Sequence, residues 1–285
     1  MNDREQRLKN EDAAREPNSD EPDTEAMAQL EIPEGALILL PTRNAVLFPG
    51  VVAPLTLGRP RSIAGAQAAA QADKPIGVLL QSDASVDNPA PQDLNRVGAV
   101  AEILRYVTAP DGSHHVVVRG TRRFKVLDFL EGYPFLCAKV EDIGESEVYS
   151  TELAARVHQL RDRAREAISL LPEAPPEILG AIEQLVSPSQ LADFIASVVD
   201  ISPLEKQDLL ETFDVSERLD KLLREIAKQI EVLRISKKIG EQTQKELSGR
   251  QREHILREQL RQIQKELGEG EDGQAEIVEL REAID

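Results

Sequence analysis

The chain has 285 residues and a mass of 31.5 kDa, room for one domain with an appendage or for two small domains. Hydrophobic residues make up 41% and charged residues 30%, so a soluble core can form, and with 3% aromatics and no tryptophan that core must be aliphatic. One cysteine excludes an internal disulfide, no zinc-ligand spacing occurs, and a net charge of −17 disfavours non-specific nucleic-acid binding, which needs a basic face.

The charge is uneven: −7 over residues 1–35, zero over 36–145, −8 over 146–215, +4 over 216–267 and −6 over 268–285. Residues 1–35 are polar, carry Pro17, Pro22 and Pro33, and have almost no apolar clustering. Such a segment cannot bury enough surface to offset its ordering entropy, so a disordered acidic tail is expected there. It contains no apolar signal region, and its eleven acids against four bases are the opposite of a transit peptide. No apolar run approaches membrane-spanning length, and a cytoplasmic location is expected.

From Ala36 the pattern changes to short β-like runs at 36–40, 51–57, 76–81, 97–107, 115–118, 124–130 and 135–140. Ala109-Pro110-Asp111-Gly112-Ser113 is a hairpin-turn signal between two of them. An Ala-rich helix is predicted at 62–72. Residues 36–145 therefore read as a compact, mostly β domain. Cys137 lies in the apolar run Tyr133-Pro134-Phe135-Leu136-Cys137-Ala138 and reads as a small buried hydrophobe rather than a reactive thiol. His114 and His115 sit beside the hairpin turn, on opposite faces of a strand, and read as a solvated turn rather than a metal site.

From Thr151 the period is helical, with Leu153, Val157, Leu160, Ala164, Ile168 and Leu171 on one stripe before Pro172, Pro175 and Pro176 break it. Ser187-Pro188-Ser189-Gln190 and Ser202-Pro203-Leu204-Glu205 each place Ser at a cap, Pro in the first turn and Gln or Glu third, a reciprocal capping arrangement. Asp214-Val215-Ser216-Glu217 repeats the device without Pro. These bound a helical subdomain at 146–213.

No breaker stronger than Gly follows before Gly268, so 215–267 is predicted to be one helix roughly 80 Å long at 1.5 Å per residue. One apolar stripe, Leu219, Leu222, Ile226, Ile230 and Leu233, opens this segment at 214–267, and a second, Leu256, Leu260, Ile263 and Leu267, closes it. The middle is polar, with Gly240 and Gly249. The spacing of the stripes suits a short coiled coil, and the distal one is the expected contact with another copy or a partner. Residues 268–285 open as a flexible acidic linker and start a further helix that stops uncapped, so the natural chain is expected to continue.

Four segments, in order, carry a family resemblance. Leu40-Pro41-Thr42-Arg43-Asn44-Ala45-Val46-Leu47-Phe48-Pro49-Gly50, followed by Pro54-Leu55, resembles the opening signature of the Lon N-terminal domain. Val97-Gly98-Ala99-Val100-Ala101 resembles the strand with which that family continues, and Gly120-Thr121-Arg122-Arg123-Phe124 its Gly-x-x-Arg-Phe element. The run from Arg250 to Glu269 is similar to the long-helix signature that precedes the family's ATPase module. Leu40, Pro41, Phe48, Pro49, Gly50, Pro54, Leu55, Gly98, Gly120, Arg123 and Phe124 are assigned to folding. In local terms Pro49-Gly50 makes a tight turn and Pro54 suits an edge strand or bulge.

The resemblance implies an α+β chain: a mostly β substrate-binding domain, an all-α subdomain and one long helix. It also implies a role in recruiting misfolded or regulatory proteins, including unfolded or degron-bearing substrates, to a hexameric ATP-dependent serine protease. No Gly-Lys dipeptide occurs, so there is no phosphate-cradling P-loop, and nothing matches the family's Ser–Lys dyad. No catalytic, cofactor or metal residue is therefore expected in this chain, and ATP and magnesium would belong to a separate ATPase module. Neither membrane nor nucleic acid is expected as a partner. A free-standing Lon-domain binding module without protease activity is the alternative, and a purely structural coiled coil a third reading.

Overall fold

The computed structural model describes residues 32–145, 150–171 and 176–266, with positions 281 and 283. The tail expected at 1–35 (up to residue 31), Leu267 and nearly all of the acidic linker lie outside the described residues. The described part forms two units, one from residues 32–165 and 176–226, the other from 166–171 and 227–266.

The first unit is built on six strands: β1 Ala36–Thr42, β2 Val52–Leu57, β3 Ile76–Leu80, β4 Val97–Thr108, β5 His114–Leu130 and β6 Cys137–Ile143. Helix α1, Pro60–Gln71, connects β2 to β3. The strand order is β2-β5-β4-β3-β1-β6, and β5 also pairs with β6. Five strands thus close into a small barrel, and among the described strands β2 bonds to β5 alone.

The period of two decides which side each residue serves. In β1, Ile38 and Leu40 join one buried cluster with Leu55, Leu57, Val116, Val118 and the alanines of α1, while Leu37 and Leu39 join another around Phe124 and Val126. The strand is buried on both faces, which is why it reads as an unbroken apolar run. The alanines keep the helix close: a Cβ added at Gly65 would stand 2.8 Å from Ile38 Cγ2. The cysteine is fully buried and burial pushes its thiol up, in keeping with an inert core residue.

Three sequence readings change. The runs at 115–118 and 124–130 are one strand, β5, because the polar stretch between them stays extended and paired to β4, with one register shift, rather than turning. Arg119 and Arg122 lie exposed and pair with Glu102 and Asp142, each at 2.7 Å, while Gly120 and Arg123 are buried. The histidines are not a solvated turn: they open β5 half-buried, His114 bonded to Tyr106 at 2.7 Å and His115 to Ser113 at 2.9 Å. Leu171 falls beyond its helix and is exposed. The predicted hairpin turn is present, with Gly112 at φ 82° and its N–H donated to Ala109 at 2.9 Å.

The remaining elements are α2 Thr151–Leu170, α3 Pro176–Gln184, α4 Pro188–Val198, α5 Pro203–Glu211 and α6 Val215–Glu266. All three predicted helix starts are capped, and the reciprocal arrangement is seen at the second of them. Ser187 accepts from Gln190 N, Ser202 and Glu205 form a full capping box, and Asp214 accepts from Glu217 N at 2.8 Å. Leu219, Leu222, Ile226 and Ile230 are buried, whereas Leu256, Leu260 and Ile263 are more than half exposed.

Candidate functional site

Arg123, Asp193 and Arg218 are at most 1% exposed, a rare condition for charged side chains. Within the first unit they meet at one point. Arg123, from β5, forks onto Asp193 of α4, with Nη1 and Nη2 at 2.8 and 2.6 Å from its two carboxylate oxygens. Its Nε donates to the Leu210 carbonyl in α5 at 2.9 Å, and Nη1 also reaches Glu145, just beyond β6, at 2.5 Å. Arg218, in the first turn of α6, donates to Asp193 at 3.1 Å, to Glu145 at 2.7 Å and to the Thr212 carbonyl at 2.8 Å. Ser189 of α4 completes the group, accepting from Arg218 and donating to Glu145.

Two guanidiniums and two carboxylates make the cluster electrically neutral, and each arginine uses all its nitrogens. That is the condition under which buried charge is tolerated. The five residues tie the barrel to α4, α5 and α6. Gln207 adds a second tie, donating from α5 to the Val97 carbonyl of β4 at 2.9 Å.

Burial pushes the Asp193 carboxyl up against the pull of Arg123 and Arg218. For Glu145, burial also acts upward, but Arg123, Ser189 and Arg218 together hold its carboxyl below the ordinary value. A lowered carboxylate contributes stability above its unfolded value, about 4.3, and loses it as pH falls through the lowered folded value. The stability difference between the parent and Glu145→Gln should therefore be full at pH 6–7 and shrink below roughly pH 4. Urea titrations at both pH values check this, and an unchanged difference at low pH would remove Glu145 from the ionised cluster.

Beside the cluster lies a polar cleft of about 450 Å³ lined by Pro49, Gly50, Gly120, Glu145, Ser189 and Asp193 among others. A larger groove of about 630 Å³ runs between the end of β1 and β2, lined by Leu40, Pro41, Pro54, Leu55 and Arg59. Exposed Val52 and Pro54 belong to the same strand, β2.

Several of the residues assigned to folding meet in two separate contacts. A Cβ on Gly98 would stand 2.3 Å from the Val78 carbonyl and 3.0 Å from the Phe124 ring, and one on Gly77 2.8 Å from that ring. Phe124 thus rests on two adjacent glycines. Gly120 lies against the Phe48 carbonyl and exchanges hydrogen bonds with the Pro49-Gly50 turn, accepting from Gly50 at 2.8 Å and donating to Val51 at 2.9 Å. Gly50 sits at φ 77°. Asp193, Arg218, Glu145 and Ser189 were not singled out by the sequence. Arg218 could have been, since it falls on the stripe of Val215, Leu219 and Leu222.

Residues 36–228 match the family described as the ATP-dependent protease La (LON) substrate-binding domain. The Lon protease of Paraburkholderia phytofirmans is 47% identical over 276 residues, covering 96% of this chain and 34% of its own length. That of Methylocella silvestris is 45% identical over 255 residues, covering 90% and 32%. The chain thus spans about a third of the length of these curated relatives. The solved N-terminal domain of Mycobacterium avium complex Lon protease aligns with a TM-score of 0.55 at 25% identity, covering 67% of this chain and 98% of that one.

Proposed function

Since the chain belongs to the family of the Lon substrate-binding domain, we propose that it receives unfolded or degron-bearing polypeptide for an ATP-dependent Lon-type serine protease. The observation that carries this reading is the family match across barrel and helices together, residues 36–228. In this reading the chain itself performs no catalysis and holds no cofactor or metal. ATP, magnesium and the peptidase chemistry belong to other parts of a cytoplasmic, hexameric assembly, in which α6 contributes coiled-coil contacts through Leu256, Leu260 and Ile263. Its partners are protein, not membrane or nucleic acid. Among the described residues no helix is long and apolar enough to cross a membrane. Nothing favours the free-standing module, since the relatives matched are Lon proteases.

The groove beside β2 is the surface we assign to the polypeptide. Pro41 and exposed Pro54 line it over the buried Leu40 and Leu55, and Val52 stands exposed on the same strand, so extended apolar chain can be held by side-chain contact. Titrating a permanently unfolded model protein against the whole chain should show weak binding that persists at high salt, because apolar contact is not screened. Val52→Asp should weaken that binding severalfold. Preference for the folded form, or loss of binding at moderate salt, would count against the reading.

A further inference from the structure

The groove beside β2 is not uniformly apolar. Arg43 and Arg59 are among the residues that line it, and none of its lining residues is acidic. Arg59 is partly buried. Its Nη1 donates to the Pro41 carbonyl at 3.1 Å and its Nη2 to the Gln81 side-chain oxygen, while its Nε is shut off from solvent with no hydrogen-bond partner. Both acceptors are neutral, and among the described residues no carboxylate lies within ion-pair distance of this guanidinium. Burial and, after it, the neighbouring Arg43 press the Arg59 pKa below the ordinary arginine value, against a smaller pull from Asp87. A guanidinium taken partly out of water without a counter-ion carries a cost that a bound anion would remove. Gln81 fixes its position: fully buried, this side chain donates to the Asp83 and Val86 carbonyls at 3.2 and 2.9 Å, which leaves its oxygen for Arg59.

A second observation points the same way. Ser62 is 6% exposed, lines the groove and makes no side-chain hydrogen bond among the described residues. It stands in the first turn of α1, which has no side-chain cap and no acidic residue there. Pro60 brings no N–H, so the N–H groups of Arg61 and Ser62 form the uncapped positive end of the helix. Hydroxyl, helix end and guanidinium are all donors, and what they lack is an acceptor bearing negative charge.

We infer that this groove binds the C-terminal carboxylate of a polypeptide whose last residues are apolar, through Arg59, Ser62 and the start of α1. The inference rests on the assignment of the groove to polypeptide given above and narrows it to chain ends. A C-terminus supplies the charge while the residues before it stay apolar against Pro41 and Pro54, whereas an internal acid would interrupt the apolar run. Arg43 adds positive charge, since its pair with the exposed Asp87 is a weak surface contact that can yield.

Fluorescence anisotropy of the whole chain tests this with a dye-labelled peptide of leucine, valine and alanine, made with a free C-terminus and as its C-terminal amide. The free acid should bind about tenfold tighter at low salt, the worth of a charge-assisted hydrogen bond, with the margin narrowing as salt rises. A third peptide, amidated but carrying one internal aspartate, should bind like the amide. Arg59→Gln should erase most of the margin. Because that side chain also braces Pro41 and Gln81, Ser62→Ala, which breaks no hydrogen bond, is the second variant and should shrink the margin severalfold. Equal binding of acid and amide, or full recovery of the margin by the internal aspartate, would overturn the inference while leaving apolar capture intact. Displacement of the free acid by inorganic phosphate, beyond the effect of sodium chloride at equal ionic strength, would make this a site for free anions and also overturn it. Failure of all three peptides to bind would overturn it too, and the titration of unfolded protein then decides separately whether the groove holds apolar chain.

Discussion

Asp193→Asn is expected to destabilise the first unit by about 3–5 kcal/mol at neutral pH, the cost of leaving buried charge without its counter-ion. Arg123 and Arg218 would then share one carboxylate, Glu145, and both guanidiniums lie too deep to recruit water. Asparagine keeps the shape but offers one acceptor oxygen where the Arg123 fork needs two. Against a total of about 5–15 kcal/mol, such a loss is a large fraction of what holds the fold. Urea unfolding at pH 7 measures it. Asp87→Asn is the control, since it breaks the exposed pair with Arg43 and should change stability by about 1 kcal/mol or less. A loss of less than about 1 kcal/mol at Asp193 would mean that burial keeps its carboxyl protonated in the native state, overturning the ionised cluster.

The second large effect is expected at Gly120. Its α-carbon faces the Phe48 carbonyl, and an added Cβ would stand 2.2 Å from that oxygen, closer than real Cβ contacts come. The obstacle is backbone, so no rotamer change relieves it. Phe48 is itself fully buried, and the neighbouring turn is tied to Gly120 by two hydrogen bonds. Gly120→Ala must push β5 away from the Phe48-Pro49-Gly50 turn. Overpacking costs about 1–3 kcal/mol, and the two bonds put about 1 kcal/mol each at risk. Gly58→Ala, where nothing lies within 4 Å, should stay within about 0.5 kcal/mol of the parent in the same thermal or urea measurement. Equal behaviour of the two variants would show that the strand and turn can separate without loss.

How much of this the sequence disclosed depends on whether the information was local. Turns and caps were legible because each is decided within four residues: Asp111-Gly112, Pro49-Gly50 and Ser202 to Glu205 all act as their spacing implies. The motifs were legible as separate pieces assigned to folding. Their common purpose was not, since Gly98 and Phe124 meet only through strand register and Gly120 and Phe48 only through a crossing of chain. The buried ion cluster was the least legible. Arg123 was named, but its partners stand 22, 70 and 87 residues away in sequence, at Glu145, Asp193 and Leu210. In a chain with 51 acidic residues no composition argument distinguishes Asp193 from the rest. The polar stretch between the two halves of β5 misled for the opposite reason. A run of arginines with glycine looks like a turn until ion partners on β4 and β6 account for the exposed ones.

Pro54 sits in the middle of β2, a strand whose outer side is not hydrogen-bonded to any other described strand. An open strand of this kind is a template on which unfolded chains add themselves as further β-structure, the first step of co-aggregation. Proline has no N–H to donate and interrupts that ladder at its centre. On the proposed reading, in which this surface receives denatured polypeptide, the interruption would keep capture separate from polymerisation. Cargo would then lean on the neighbouring side chains without zipping onto the backbone, which would keep each encounter short and reversible.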